Sequence, residues 1–75
     1  MEVYRATYKI TRMDMGTYLP VTLFRMHIFE AENSELASVR VCKEEERLRE
    51  VFRGKVMLEH LVPINGLAVH DTASN

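Results

Sequence analysis

The single cysteine is the most reactive side chain in the sequence. A thiol can ionise and act as a nucleophile beside a basic side chain or a helix N-terminus, and Lys43 directly follows Cys42. The three glutamates at 44–46 bring negative charge to the same point, which disfavours a thiolate. No base or orienting residue is indicated, so we expect Cys42 to be structural or incidental. A lone cysteine also forms no internal disulfide.

The three histidines could bind a metal ion only if the fold brought them together. His27, His60 and His70 lie on separate segments, and none has a second ligand at short spacing. Zinc sites in proteins need three or four converging ligands. We therefore expect no metal site and no cofactor. Because His27 lies in an apolar segment, it is a candidate for contact with a partner protein.

The remaining residues do not indicate catalysis. The glutamates at 44–46 are typical of a solvated first helical turn, and a chain of 75 residues has little room for a cleft between two catalytic carboxylates. The sequence contains no Gly-rich phosphate loop, no Ser-centred elbow and no dinucleotide fingerprint. We expect no catalytic residues and no small-molecule substrate.

The composition is typical of one folded domain. With 47% hydrophobic and 28% charged residues, it excludes a disordered or low-complexity chain. A net charge of −1 disfavours a protein that holds nucleic acid mainly through phosphates. Apolar stretches are far shorter than the ~20 residues that span a bilayer, and the first residues lack a signal-peptide pattern. We expect a cytoplasmic domain over residues 1–70, without membrane contact, and a frayed polar tail over residues 71–75.

Two segments predict the strands that would position any site. Residues 3–13 alternate between apolar and polar side chains, as does a strand with one solvated face. The apolar face consists of Tyr4, Ala6, Tyr8 and Ile10. After a turn at Asp14-Met15-Gly16, a second strand covers residues 21–31. One side of it consists of Phe24, Met26 and Ile28, and we expect that side to face a helix.

The stretch over residues 32–53 has two interpretations. In the first, Ser34 caps one long helix that runs to Phe52. The long helix would place Glu44 within its apolar stripe, and an unpaired buried carboxylate costs free energy.

The second interpretation divides the same stretch. A third strand over residues 36–42 precedes a short helix over residues 43–53, which has acidic residues in its first turn and basic residues towards its end. That order of charges complements the helix dipole, and Gly54 stands where a C-terminal cap belongs. We favour this interpretation.

The pattern is strand-like again from Lys55, and Asn65-Gly66 predicts a turn before a short last strand over residues 67–70. The predicted fold class is therefore α+β, with a small antiparallel sheet of three to five strands and one helix packed on one face. The order β-β-β-α-β, with an optional fifth strand, is favoured over β-β-α-β.

In outline, a strand pair followed by residues 28–37 resembles several tiny sheet-plus-helix proteins. This segment reads Ile-Phe-Glu-Ala-Glu-Asn-Ser-Glu-Leu-Ala. Some of those proteins are phage-encoded inhibitors of host enzymes, and some are small ribosomal proteins. The resemblance implies the long helix, and it includes no functional residue.

Apolar side chains on both faces of the sheet predict a contact surface. If Phe24 and Ile28 face the helix, the candidate interface residues on the other face are Leu23, His27, Phe29, Met57 and Leu61. A domain this small buries only about 60% of the surface of its unfolded chain, so pairing often stabilises it. We therefore expect a non-catalytic protein-interaction module, either a homo-oligomer or a small inhibitor or adaptor that acts on a larger protein.

The alternative is a nucleic-acid-binding module that uses a basic strand face. Its candidate contacts are Arg5, Lys9, Arg12 and Arg25. Aromatic side chains on a small sheet can stack bases, but Tyr4 and Tyr8 lie on the opposite face, where the core needs them. This alternative is disfavoured.

Overall fold

The structure, a computed structural model, describes residues 1–64. It contains a three-stranded sheet and one helix, with the elements β1 (Glu2–Met13), β2 (Pro20–Ala31), α1 (Ser34–Phe52) and β3 (Lys55–Pro63). The predicted α+β class, with one helix packed on one face of a small antiparallel sheet, is confirmed. The predicted turn at 65–66, the last strand over 67–70 and the tail over 71–75 lie outside the described residues.

The first strand is the centre of the sheet. The strand order is β2-β1-β3, and β1 is antiparallel to both neighbours. The two edge strands therefore run parallel to each other, and α1 connects them across one face of the sheet. The opposite face has no covering element among residues 1–64.

Residues 34–52 form one continuous helix, so the favoured division into a third strand and a short helix is wrong. The long helix, ranked second, is the one observed. Its N-cap is Asn33 rather than Ser34, because the Asn33 side chain accepts a hydrogen bond from the Leu36 N–H at 2.9 Å. The carboxylate of Glu44 does lie along the apolar stripe, with 15% of its side chain exposed, but it is not unpaired, because it accepts two hydrogen bonds from Arg47.

The core lies between the helix and one face of the sheet. Its buried side chains are Tyr4, Ala6, Tyr8 and Ile10 of β1, Phe29 and Ala31 of β2, and Ala37, Val41 and Leu48 of α1. The β1 side chains are the apolar set that the alternation of residues 3–13 predicts. Ala6 and Ala37 are both fully buried, and side chains this small let the helix approach the central strand closely.

The orientation predicted for β2 is wrong. Phe29 is 5% exposed and stacks on Tyr4, with 5.8 Å between the ring centroids, whereas Phe24 is 61% exposed. The register explains the orientation: Phe29 is directly opposite Tyr4, and residues directly opposite each other in an antiparallel pair share a face. Because β2 carries apolar side chains on both sides, its own pattern does not select the buried side.

The third strand contains an irregularity that changes which residues share a face. Tyr8 is opposite Leu58, whereas Thr7, which directly precedes Tyr8 on β1, is opposite His60. Glu59 is therefore an extra residue of β3 that has no opposite residue on β1. Leu58 and Leu61 therefore both pack against the core.

The helix ends differently from the prediction. Arg53 is the C-cap residue in the left-handed region, with φ 51°, and its N–H bonds to the Arg49 carbonyl. Gly54 serves another purpose, because a Cβ atom there would lie 2.7 Å from the Thr11 carbonyl oxygen. Glycine at this point lets the start of β3 pass close to the end of β1.

Candidate interaction surface

The face of the sheet opposite α1 has no covering element among residues 1–64, and we call it the open face. Strand alternation and register assign its three rows. They are Phe24, Met26, Ile28 and Glu30 on β2; Val3, Arg5, Thr7, Lys9 and Thr11 on β1; and Lys55, Met57, His60 and Val62 on β3.

The apolar part of the open face lies mainly on the edge strand β2. Phe24 is 61% exposed, Met26 64% and Ile28 57%. Met57, on the other edge strand, is 51% exposed. Scattered exposed apolar residues are common on protein surfaces, but consecutive ones along one strand mark a surface suited to contact.

The central row of the open face is basic. Arg5 and Lys9 project from β1 between the two edge strands, and Lys55 is opposite Thr11 at one end. Neither Arg5 nor Lys9 forms an ion pair within residues 1–64, where the single such pair joins Glu44 and Arg47. The open face therefore combines unpaired cations in the middle with apolar side chains at its edges.

The candidate interface residues do not share one surface. Met57 lies on the open face, whereas Leu23, His27 and Phe29 point to the helix side of β2. Leu61 is also on the helix side, because of the extra residue in β3. Phe29 is too deeply buried to contact a partner in this fold. The expectation that Leu23, His27, Phe29 and Leu61 lie on the uncovered face is therefore wrong.

The candidate nucleic-acid contacts are divided between the two faces. Arg5 and Lys9 lie on the open face. Arg25 projects from the helix side of β2, with its guanidinium 5.1 Å from the centre of the Phe52 ring. Arg12 lines a cavity near the C-terminal end of α1 together with Phe52. The predicted continuous basic face of four side chains is not formed.

Sequence reasoning missed the apolar row of β2. Their regular alternation predicts that Phe24, Met26 and Ile28 belong to the core. The signal that could have found them is the pairing of β1 with β2, since the core side of β1 was correctly predicted. Placing Phe29 opposite Tyr4 would have turned the β2 row outward.

The residues with chemical potential are dispersed. Cys42 is exposed on α1, and no group of three or more histidine, cysteine or acidic side chains converges within the described part of the chain. His27 and His60 lie on opposite faces of the sheet, and His70 falls outside residues 1–64. No helix within the described residues has the length and apolar character that crossing a membrane requires.

Over residues 1–64 the chain is a small α+β fold with the order β-β-α-β, and no element of this range covers the open face. No model of a known protein family matches the chain, and neither a curated protein nor a solved structure shows significant similarity to it.

Proposed function

We propose that this protein is a non-catalytic interaction module whose open face binds an acidic, amphipathic helix of a partner protein. The observation that carries the proposal is the exposed row Phe24, Met26 and Ile28 beside the unpaired cations Arg5 and Lys9. Apolar side chains supply contact area, and the cations select carboxylates and orient the partner.

The dimensions of the sheet suit a single helix. Three strands about 4.8 Å apart span about 10 Å between the axes of the two edge strands, and a helix with its side chains is about 10 Å in diameter. The other face of this sheet is covered by one helix, α1. A partner helix on the open face would complete a three-layer arrangement, which buries both faces of a sheet.

Charge disfavours a second copy of the chain as the occupant. Two open faces packed against each other would bring Arg5, Lys9 and Lys55 of both copies into one interface. Glu30, which is opposite Val3 at one end of the face, supplies one carboxylate against these three cations in each copy. Like charges brought together in an interface cost free energy, whereas carboxylates of an acidic helix would pair with them.

Two synthetic helical peptides test the proposal. One carries a leucine stripe flanked by glutamates, and the other has the same leucines with lysines in place of the glutamates. We expect the acidic peptide to bind, with the shifted amide signals in NMR spectra confined to the open face. We expect its affinity to fall as salt rises and the lysine peptide not to bind. Equal binding of both peptides would overturn the proposal.

Matched variants locate the surface. The double variant Phe24→Ser with Ile28→Thr removes exposed anchors, and each anchor lost from an interface can weaken binding about tenfold or more. The control is Val39→Ser with Val51→Ser, which removes two apolar side chains, 49% and 60% exposed, from the solvent side of α1. A control variant that weakens binding as much as the double variant would contradict the assignment.

Sedimentation and a nucleic-acid titration separate the competing occupants. A concentration-dependent dimer that the Phe24→Ser and Ile28→Thr variant abolishes would replace the proposed helix with a second copy. Single-stranded oligonucleotides that bind at low salt through Arg5, Lys9 and Phe24 would favour the nucleic-acid module instead. We expect a monomer that binds neither.

A further inference from the structure

The hairpin that joins β1 to β2 carries a cluster of exposed apolar side chains, and we call residues 13–19 the hairpin tip. Its four large apolar side chains are between 51% and 74% exposed, and they are Met13, Met15, Tyr18 and Leu19. Val51, near the C-terminal end of α1, lines a cavity with Met13 and Met15 and is also exposed. Adjacent exposed apolar side chains of this size mark a contact surface.

Hydrogen bonds within the hairpin tip fix its backbone. The Asp14 N–H donates to the Leu19 carbonyl at 2.9 Å, and the Tyr18 N–H donates to the Asp14 carbonyl at 2.7 Å. The Asp14 carboxylate accepts bonds from the Thr17 N–H at 3.1 Å and from the Thr17 hydroxyl at 2.7 Å. Tyr18 has a φ of 58°, which is uncommon for a bulky residue and costs conformational free energy. The exposed side chains therefore project from a loop of defined conformation.

The end of the molecule that carries the hairpin tip is basic, although the whole chain has a net charge of −1. Arg12 and Arg53 line the cavity beside Met15, and neither forms an ion pair within residues 1–64. This end consists of residues 11–22 and 49–55, which contain two acids and four cations, namely Asp14, Glu50, Arg12, Arg49, Arg53 and Lys55. Its net charge is therefore +2. A positive end of this kind is attracted to an anionic surface.

A lipid bilayer fits this arrangement better than a folded protein does. A hairpin tip is convex, so it offers few contacts to a rigid partner, whereas lipids deform around it. Arg12 directly precedes Met13, and at about 3.3 Å per strand residue the cation lies one step behind the apolar side chains. Interfacial segments bury apolar side chains about 5–10 Å into the headgroup region, with lysine and arginine at the anionic headgroups. Tyrosine is enriched at the same level.

We propose that the hairpin tip binds the surface of an anionic lipid bilayer. The side chains of Met15, Tyr18 and Leu19 enter the headgroup region, and Arg12 and Arg53 bind lipid phosphates. The sequence predicts no membrane contact because no apolar stretch could span a bilayer, but contact with the bilayer surface requires no such stretch. The site uses none of the apolar side chains of the open face, so it is independent of the proposed helix-binding role.

Cosedimentation with vesicles of two compositions tests the proposal. We expect the protein to bind vesicles of phosphatidylcholine mixed with phosphatidylserine, and to dissociate from them as salt rises. Vesicles of phosphatidylcholine alone should bind about tenfold more weakly or less, because they do not attract Arg12 and Arg53. Failure to bind the anionic vesicles would favour a partner protein as the occupant of the tip and overturn the proposal, and equal binding to both compositions would also overturn it.

Tyrosine fluorescence shows whether the tip itself enters the bilayer. The chain has three tyrosines and no tryptophan, and Tyr4 and Tyr8 are buried whereas Tyr18 is exposed. Quenching by acrylamide dissolved in the water therefore reports mainly on Tyr18. We expect anionic vesicles to protect this fluorescence from the quencher. Unchanged quenching of the vesicle-bound protein would mean that another surface contacts the lipids and would overturn the proposal.

Matched variants separate the hairpin tip from the open face. Met15→Ser with Leu19→Ser changes two exposed side chains, so the fold should persist while binding to anionic vesicles weakens about tenfold or more. The control Phe24→Ser with Ile28→Thr should bind these vesicles as the parent protein does, even when it no longer binds the acidic peptide. Equal loss of vesicle binding in both variants would contradict the role of the tip. A dimer that only the tip variant dissociates would assign the tip to a second copy and overturn the proposal.

Discussion

Lys9 lies directly opposite Phe24 in the ladder between β1 and β2, and both side chains project onto the open face. The same arrangement recurs four residues earlier on β1, where Arg5 is opposite Ile28. Each unpaired cation of the central strand therefore stands beside an exposed apolar side chain of the edge strand. The proposed partner would have to satisfy both at once, which is why we propose an acidic and amphipathic segment rather than a purely apolar one.

The two phenylalanines of β2 on opposite faces should respond very differently to truncation. Phe29→Ala opens a cavity in the core and should lower the free energy of unfolding by about 3–5 kcal/mol. Phe24→Ala changes a side chain that is 61% exposed, so its effect should stay within about 0.5 kcal/mol. Urea unfolding followed by circular dichroism measures both. The opposite ranking would mean that β2 is turned the other way.

Removal of the helix N-cap should distinguish Asn33 from its neighbour. Asn33→Ala leaves the Leu36 N–H without its acceptor and should cost about 1 kcal/mol. Ser34 is already inside the helix, so Ser34→Ala should change stability by less than about 0.5 kcal/mol. Thermal unfolding curves of the two variants provide the comparison, and a larger loss in Ser34→Ala would assign the cap to that residue.

Two glycines should tolerate alanine unequally. In Gly54→Ala the new methyl group would meet the Thr11 carbonyl oxygen at 2.7 Å and the Arg12 Cβ at 2.9 Å. The strands would have to separate, and we expect a loss of about 1–3 kcal/mol. At Gly16 the nearest atom, an Asp14 carboxylate oxygen, is 3.6 Å away, so Gly16→Ala should be close to neutral. Chemical denaturation tests the difference, and equal losses would refute the close contact at Gly54.

At alkaline pH, ionisation of the Tyr8 hydroxyl should lower the free energy of unfolding. A tyrosine in the unfolded chain ionises near pH 10, whereas burial raises the pKa of Tyr8 to about 12 in the folded protein. The contribution of the protonated Tyr8 hydroxyl to the free energy of unfolding is therefore fully present below pH 10 and is lost as the pH rises towards 12. The pKa of Tyr4 is also raised, chiefly by burial, so Tyr4 contributes in the same direction. Unfolding free energies across this range should fall less steeply for Tyr8→Phe, and identical slopes would refute the prediction.

At acid pH, the Glu44–Arg47 pair should weaken. The hydrogen bonds from Arg47 are the main reason that the pKa of Glu44 is lowered in the folded protein. A lowered pKa stabilises the fold above the unfolded value, near 4.5, and this contribution disappears as the pH falls through the folded value. Glu44→Gln should therefore reduce the loss of stability in that range. NMR titration of the Glu44 carboxyl carbon measures the pKa directly, and a value at or above 4.5 would contradict the pairing.

The amino-acid sequence alone determined the features that depend on local pattern. Alternation over residues 3–13 correctly identified β1 and its buried side, Tyr4, Ala6, Tyr8 and Ile10, because only one side of this strand is apolar. The α+β class followed from the strand patterns at both ends and the helical pattern before Gly54. These signals lie within a few residues of one another, so they can be read without knowledge of the fold.

The tertiary structure decided what depends on pairing between distant segments. The orientation of β2 is set by its register with β1, because β2 is apolar on both sides and its own pattern is ambiguous. The extra residue at Glu59 turns Leu61 towards the core, and only the pairing of β3 with β1 shows this extra residue. The choice between one helix and a strand with a short helix over residues 34–52 depended on the burial of Ala37 and Val41 against the sheet. The convergence of Arg12 and Arg53 on one cavity beside the hairpin tip arises only when β1 and α1 pack together, since no local pattern encodes contacts between separate elements.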